Sequence, residues 1–205
     1  MRLELTGKGK ENEISLLEEK AKRCKLCPLA LILGSDYGTA FWDGSFNAKM
    51  MLLGEAPGKD ECIAGKPFVG RAGKLLNNIL QYGGFSREDF YITNICKHRP
   101  PSNRPPTAEE SYVCVKHFLL DEINTINPQI VVPVGNTPTQ FLLGKDRRIT
   151  QARGNWFSDG KRLIFPMFHP SYLLRNTSIL EGSPRSLTSL DILALRSKAE
   201  ELNLV

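Results

Sequence analysis

Four short apolar runs punctuate the chain, at Met50–Leu53, Phe90–Ile95, Ile130–Val134 and Leu163–Phe168. Each is of strand length and too continuous to be a one-faced surface strand. Helical patterns separate them, at about 71–82, 107–124 and 136–143. A further helix is expected at 11–23, with Ile14, Leu17 and Ala21 on one face, and another closes the chain at 186–202. Thr107-Ala108-Glu109-Glu110 carries the capping-box pattern that starts a helix. Residues 1–10 read as a frayed start, and 34–47, rich in Gly, Ser and Asp, as an irregular loop or short hairpin. Strands alternating with helices predict an α/β fold, a parallel sheet covered on both faces, and 205 residues suffice for a single domain spanning 1–205.

The runs share a feature at their C-terminal ends. They finish in Gly54-Glu55, Thr93-Asn94, Gly135-Asn136 and His169-Pro170. In a parallel sheet these ends lie along one edge, where ligand crevices form. Glu55, Asn94 and His169 are therefore expected to face a common pocket. The densest stretch follows the first run: Gly54-Glu55-Ala56-Pro57-Gly58, then Asp60-Glu61, Pro67-Phe68 and a glycine-marked helix start at Gly70.

Composition changes the picture little: 41% apolar and 24% charged residues are ordinary for a water-exposed globule. No run approaches the roughly 20 apolar residues of a membrane span, and no signal-peptide core opens the chain, so a cytoplasmic protein that does not engage a membrane is expected. The net charge of +5 favours a polyanionic partner. Five cysteines argue against a disulfide framework in that setting. Cys24 and Cys27 have the spacing at which two thiolates meet one metal centre, leaving zinc, iron–sulfur and redox use open.

GEAPG at 54–58, KPFVGRAGKLL at 66–76, YITNICKHRPPSNRPPT at 91–107, ARGNW at 152–156 and FHPSYLLRN at 168–176 together resemble the family 4 (iron–sulfur) uracil-DNA glycosylases. The resemblance implies a three-layer α/β/α sandwich around a central four-stranded parallel sheet. It implies a monofunctional enzyme of base excision repair that flips deoxyuridine out of single- or double-stranded DNA and hydrolyses its N-glycosidic bond, acting as a monomer. By the same resemblance, Glu55 and His169 are catalytic, and Gly54, Ala56, Glu61, Phe68 and Asn94 bind the base. Phe68 would stack on uracil, Asn94 read its O4 and N3–H, His169 meet O2, and Glu61 exclude a thymine methyl. Ser171, Leu173, Leu174 and Arg175 would contact DNA, with Leu173 or Leu174 as a wedge. Backbone N–H groups near Gly58 and Gly70 are candidate phosphate contacts, and Lys97, Arg99, Arg104, Arg147, Arg148 and Arg153 would supply positive field.

The family's [4Fe–4S] cluster has four cysteine ligands. Cys24, Cys27 and Cys114 match three, but the remaining register position holds His98, with Cys96 two residues earlier. Register favours His98 and thiolate chemistry favours Cys96; zinc is the alternative metal. A histidine here also resembles a superfamily branch that captures uracil-DNA covalently, although the insertion carrying that branch's covalent histidine is missing between Arg99 and Thr107. A non-catalytic iron–sulfur DNA-binding module is a further reading.

Overall fold

A computed structural model describes residues 7–32 and 34–205. In chain order it contains α1 (Gly7–Lys22), β1 (Trp42–Gly44), β2 (Met50–Gly54), α2 (Lys59–Ala64), α3 (Arg71–Tyr82) and β3 (Phe90–Asn94). Next come α4 (Ala108–Cys114), a π turn over Val115–Leu119, α5 (Leu120–Ile126), β4 (Ile130–Pro133), α6 (Asn136–Leu143) and α7 (Ile149–Ala152). The chain ends with β5 (Phe157–Ser158), β6 (Leu163–Ile164), α8 (Pro170–Arg175) and α9 (Pro184–Glu201). Of the expected frayed start, residues 7–10 belong to α1, and 1–6 lie outside the described residues.

The sheet order is β1-β3-β2-β4-β6-β5. The four apolar runs pair in parallel as β3, β2, β4 and β6. Two antiparallel edges enlarge the expected four strands to six: β1 beside β3, with Trp42 opposite Thr93, and β5 beside β6, with Phe157 opposite Ile164. These edges are only two and three residues long and of mixed polarity, so no period announces them.

The three-layer arrangement follows from alternation along the strands. Met51, Leu53, Tyr91 and Val131 face one way, onto Ile14, Leu17 and Ala21 of α1 and onto Phe118, Ile123 and Ile126 around α5. Met50, Leu52, Ile92 and Val132 face the other way, onto Leu76 and Leu80 of α3 and Ile192 and Leu195 of α9. Each such side chain contributes about 1.5–3 kcal/mol by leaving water. The chain passes from β2 to β3 on one side, then crosses β2 to form β4, so the topological switch lies at the end of β2.

The anticipated helix over 107–124 forms in two parts. Its start is the expected capping box: Thr107 Oγ1 accepts the Glu110 N–H (3.1 Å) and Glu110 Oε2 accepts the Thr107 N–H (2.7 Å). Its middle widens into the π turn directly after Cys114. Such widened turns concentrate at functional sites because they displace one side chain from the helical register.

Under the sheet lies a buried polar network. Lys97 and Glu122 are both fully buried and ion-paired. Lys97 Nζ also donates to Thr93 Oγ1 and to the carbonyl of Asn94, each at 2.7 Å, while Glu122 accepts from Tyr91 Oη (3.0 Å) and Thr93 Oγ1 (2.8 Å). Removing one partner strands the other charge, which costs about 3–5 kcal/mol, whereas an apolar pair of similar size is tolerated. Urea denaturation of Lys97→Met and Glu122→Leu is therefore expected to show losses of that order singly, and a much smaller loss in the double variant.

Candidate functional site

The C-terminal edge of the parallel strands carries a cavity of about 300 Å³. Glu55 and Ala56 after β2, Asn94 at the end of β3, Gly135 and Asn136 after β4, and His169 and Ser171 at the start of α8 all line it. Phe68, Glu61, Asn103 and Arg104 also line it. Three side chains from remote parts of the chain thus meet where the strand-end rule places them.

His169 is fixed by the helix it begins. It is the N-cap of α8, with Pro170 at the first helical position, and its Nδ1 accepts the backbone N–H of Ser171 (3.1 Å). Proline needs no hydrogen-bond acceptor there and its φ suits the first turn. Because Nδ1 is the acceptor, the ring proton resides on Nε2, the nitrogen on the other side of the ring. The Ser171 hydroxyl also lies 2.8 Å from Nδ1. Burial, and then the positive charge of Arg175, pull the His169 pKa down to about 4. The imidazole is neutral at pH 7.

Phe68 packs beside this ring, centroids 5.8 Å apart. It is only 5% exposed and sits at φ +54°, a left-handed backbone unusual for a bulky residue. Arg87 holds it there. Its guanidinium donates to the carbonyls of Pro67 (2.9 Å) and Phe68 (3.2 Å), to Asn77 Oδ1 (2.9 Å) and to Asp43 Oδ2 (2.8 Å). Two glycines make room: a Cβ at Gly73 would strike the Phe68 backbone, and one at Gly54 would strike both Asn94 Oδ1 and the Phe68 ring. The Asn94 amide makes no protein hydrogen bond among the described residues, and its donor and acceptor both remain for a guest.

Glu55 accepts a short hydrogen bond from the Thr137 hydroxyl at the start of α6. Thr137 was not anticipated, since nothing in its local sequence marks it. Glu61 lines the cavity, yet its carboxylate oxygens are occupied by the backbone N–H groups of Gly58 (2.9 Å) and Gly70 (3.2 Å). The side chain braces the loop, and those two N–H groups are not free for phosphate.

Further expectations need correcting. Leu173 is 1% exposed and belongs to the interior, which removes it as a wedge; Leu174 is half-buried and Arg175 exposed. Lys97 is enclosed with Glu122, Arg153 is paired with Asp191, and Arg104 makes a bidentate pair with Glu110 (2.7 and 2.8 Å). These cations serve internal partners more than an external field.

The cysteines gather on the opposite face of the sheet. Cys24, Cys27, Cys96 and Cys114 all join the core cluster built on α1, α4 and α5. No disulfide joins them. Chiefly through a hydrogen bond from the Cys96 thiol, the Cys114 thiol is pulled down to about 7. His98 Nε2 lies 3.1 Å from Thr39 Oγ1, while its Nδ1 is buried without a partner. Among the described residues, no group of three or more His, Cys, Asp and Glu side chains is disposed to enclose a metal ion. The donors are soft and collected but do not converge on one point. Cys62 stands apart, buried, with its thiol pushed up to about 11 by desolvation.

The cavity at the switch point of this sheet thus brings together an aromatic ring, an amide and a neutral imidazole. The family model of the uracil DNA glycosylase superfamily matches residues 41–188. The chain is 44% identical to the Type-4 uracil-DNA glycosylase of Thermotoga maritima, over 82% of this chain and 87% of that protein. It is 36% identical to the Type-4 enzyme of Saccharolobus solfataricus (82% and 80% covered) and 37% identical to that of Archaeoglobus fulgidus (67% and 73% covered). The chain belongs to the uracil DNA glycosylase superfamily. No helix among the described residues is long and apolar enough to cross a membrane.

The capping geometry makes a spectroscopic prediction. Nitrogen-15 NMR of the imidazole is expected to show His169 neutral and protonated on Nε2 at pH 7, with a titration midpoint near 4 rather than 6.5. Between those values the unfolded chain takes up a proton that the folded chain refuses. The contribution of His169 to stability is therefore complete above pH 6.5 and is lost as pH falls towards 4.

Proposed function

We propose that the protein is a uracil-DNA glycosylase that draws deoxyuridine out of DNA, hydrolyses its N-glycosidic bond and leaves an abasic site. The observation that carries this reading is the convergence of Asn94, Phe68, His169 and Glu55 on one cavity at the switch point. A base inside a duplex is inaccessible, and extruding it costs a few kcal/mol. Stacking on Phe68 offsets part of that cost. The Asn94 amide N–H donates to uracil O4 and its carbonyl accepts from N3–H. Cytosine presents the reverse pattern and is rejected.

As the bond between C1′ and N1 lengthens, negative charge collects on the uracil oxygens and positive charge on the sugar. A donor already fixed where charge develops stabilises the transition state without reorganising. His169 supplies it through Nε2–H, and a neutral ring needs no proton transfer to do so. Glu55, steadied by Thr137, faces the sugar as a negative charge and as an acceptor for the incoming water. The water oxygen bonds to C1′ and gives up a proton through Glu55 to solvent, while uracil departs with the bonding pair and takes its proton from solvent. Gly54 and Ala56 shape the wall, Glu61 braces it, and Ser171, Leu174 and Arg175 present α8 to single- or double-stranded DNA. The protein acts as one domain and as a monomer inside the cell.

A [4Fe–4S] cluster is part of this proposal. Cys24, Cys27 and Cys114 are reduced, soft thiol donors of the kind such a cluster takes, and the partnerless buried Nδ1 of His98 is the candidate fourth donor, although these side chains as described do not converge on one point. Thr39 on Nε2 would orient the ring, as partners of metal-bound histidines do. The Cys96 thiol already has Cys114 and Ser111 as neighbours and is the alternative ligand. The cluster's work is structural, tying the segment after α1 to the sheet; zinc is the other metal these donors would accept.

Two measurements test these readings. Uracil-containing oligonucleotide treated with protein and then hot alkali is expected to break at the uracil. Asn94→Ala and His169→Ala are each expected to lose at least about a hundredfold in rate while binding duplex as before. A protein–DNA band surviving denaturation would mean covalent capture instead, and neither product would leave a binding module. For the metal site, iron and sulfide content with visible absorbance are expected to survive Cys96→Ser and fall in His98→Ala; the reverse would assign Cys96.

A further inference from the structure

Asn94 lines the cavity from the last position of β3, and the regular strand ends with it. Ile95 and Cys96 both turn their N–H groups to the same neighbour, donating to the carbonyls of Gly54 (2.9 Å) and Glu55 (3.0 Å). Successive N–H groups of a regular strand point to opposite sides, so the ladder is interrupted directly after Asn94. An interruption of this kind re-aims the side chain beside it. The Asn94 amide has no protein partner at its own tip among the described residues, so its direction is set from its main chain.

The anchor for that main chain is Lys97, whose side chain folds back towards the strand end. An ammonium has three N–H donors, and here each finds an acceptor: the Asn94 carbonyl (2.7 Å), Thr93 Oγ1 (2.7 Å) and the Glu122 carboxylate. The ammonium also lies over the Phe41 ring, 4.8 Å from its centroid. Glu122 is held in turn by Tyr91 Oη (3.0 Å). A buried ion pair adds little to stability over an apolar pair of similar size. Its presence at the root of the cavity therefore calls for another use. Hydrogen bonds from a charged donor are short and roughly twice as strong as neutral ones, which suits a carbonyl that must not rotate.

We propose that Lys97 is a positioning residue for the base-reading amide: kept in place by Glu122, its ammonium fixes the Asn94 carbonyl and, through it, the direction of the Asn94 side chain in the cavity. The proposal rests on the uracil-excision reading above. Lys97 is fully buried, does not line the cavity and touches no substrate, so its effect is on geometry alone. The Asn94 amide has to meet O4 and N3–H of uracil at once, and a misplacement of about 1 Å costs up to about a hundredfold in rate.

The test is Lys97→Met/Glu122→Leu in the full chain, the pair of substitutions that strands no charge. Beside it stands Tyr91→Phe, which takes one hydrogen bond from Glu122 and leaves Lys97 on Asn94. On a uracil-containing single strand the double variant is expected to lose about tenfold or more in kcat with KM within about twofold, and Tyr91→Phe to keep both within about twofold. The side-chain nitrogen-15 resonance of Asn94 gives a readout independent of turnover: sharp in the unaltered protein and in Tyr91→Phe, broadened in the double variant. Should the double variant not fold, Glu122→Gln, which keeps the size and an acceptor oxygen but removes the charge that holds Lys97, is expected to broaden the same resonance and to lower kcat at unchanged KM. An unaltered protein that releases no uracil, with the Asn94 resonance still governed by Lys97, would sink the glycosylase reading and leave the positioning role standing. An Asn94 resonance unchanged in the variants, a loss confined to KM, or an equal loss in Tyr91→Phe would overturn the positioning role.

Discussion

The hydrogen bond from the Ser171 main-chain N–H to His169 Nδ1 decides what the cavity can do. It caps a helix, and by occupying one ring nitrogen it sends the proton to the other. The same contact joins local folding to chemistry: proline at the first helical turn sets the backbone, the cap sets the tautomer, and burial keeps the ring neutral. Since the donor is main chain, side-chain substitution at 171 leaves the bond in place, and only proline would delete it.

Around that contact the site is assembled from three levels of structure. Strand ends bring Glu55, Asn94 and His169 to one edge, because parallel strands align their termini. Glycine at 54 lets an amide and an aromatic ring approach the same strand end closely. Arg87 then reaches from the start of β3 to four acceptors on three segments, fixing the Pro67–Phe68 turn to the edge strand β1. The edge strand thus supports the site through Asp43 as well as bounding the sheet.

Much of this was legible in the sequence. The apolar runs at 50–53, 90–95, 130–134 and 163–168 marked the four parallel strands because fully buried strands are continuously apolar. Their polar ends marked the cavity. What escaped was whatever depends on distant partners. Arg87 looks like any loop arginine, for its acceptors sit at 43, 67, 68 and 77. Thr137 and the edge strands carry no period, and Leu173 and Leu174 are adjacent leucines that only the rotation of α8 tells apart. Lys97 and Arg153 show the same limit from the other side, since a basic residue in sequence need not be a charge presented to solvent.

The left-handed backbone of Phe68 has a consequence for energetics. Such a conformation costs of the order of 1–2 kcal/mol in a residue with a side chain. Arg87 and the packing of α3 meet that cost while the chain folds, long before any nucleotide arrives. On the proposed function, the aromatic plane is thereby ready at encounter, and the free energy of association is left to oppose the unstacking of the visiting base instead of being consumed in arranging the host.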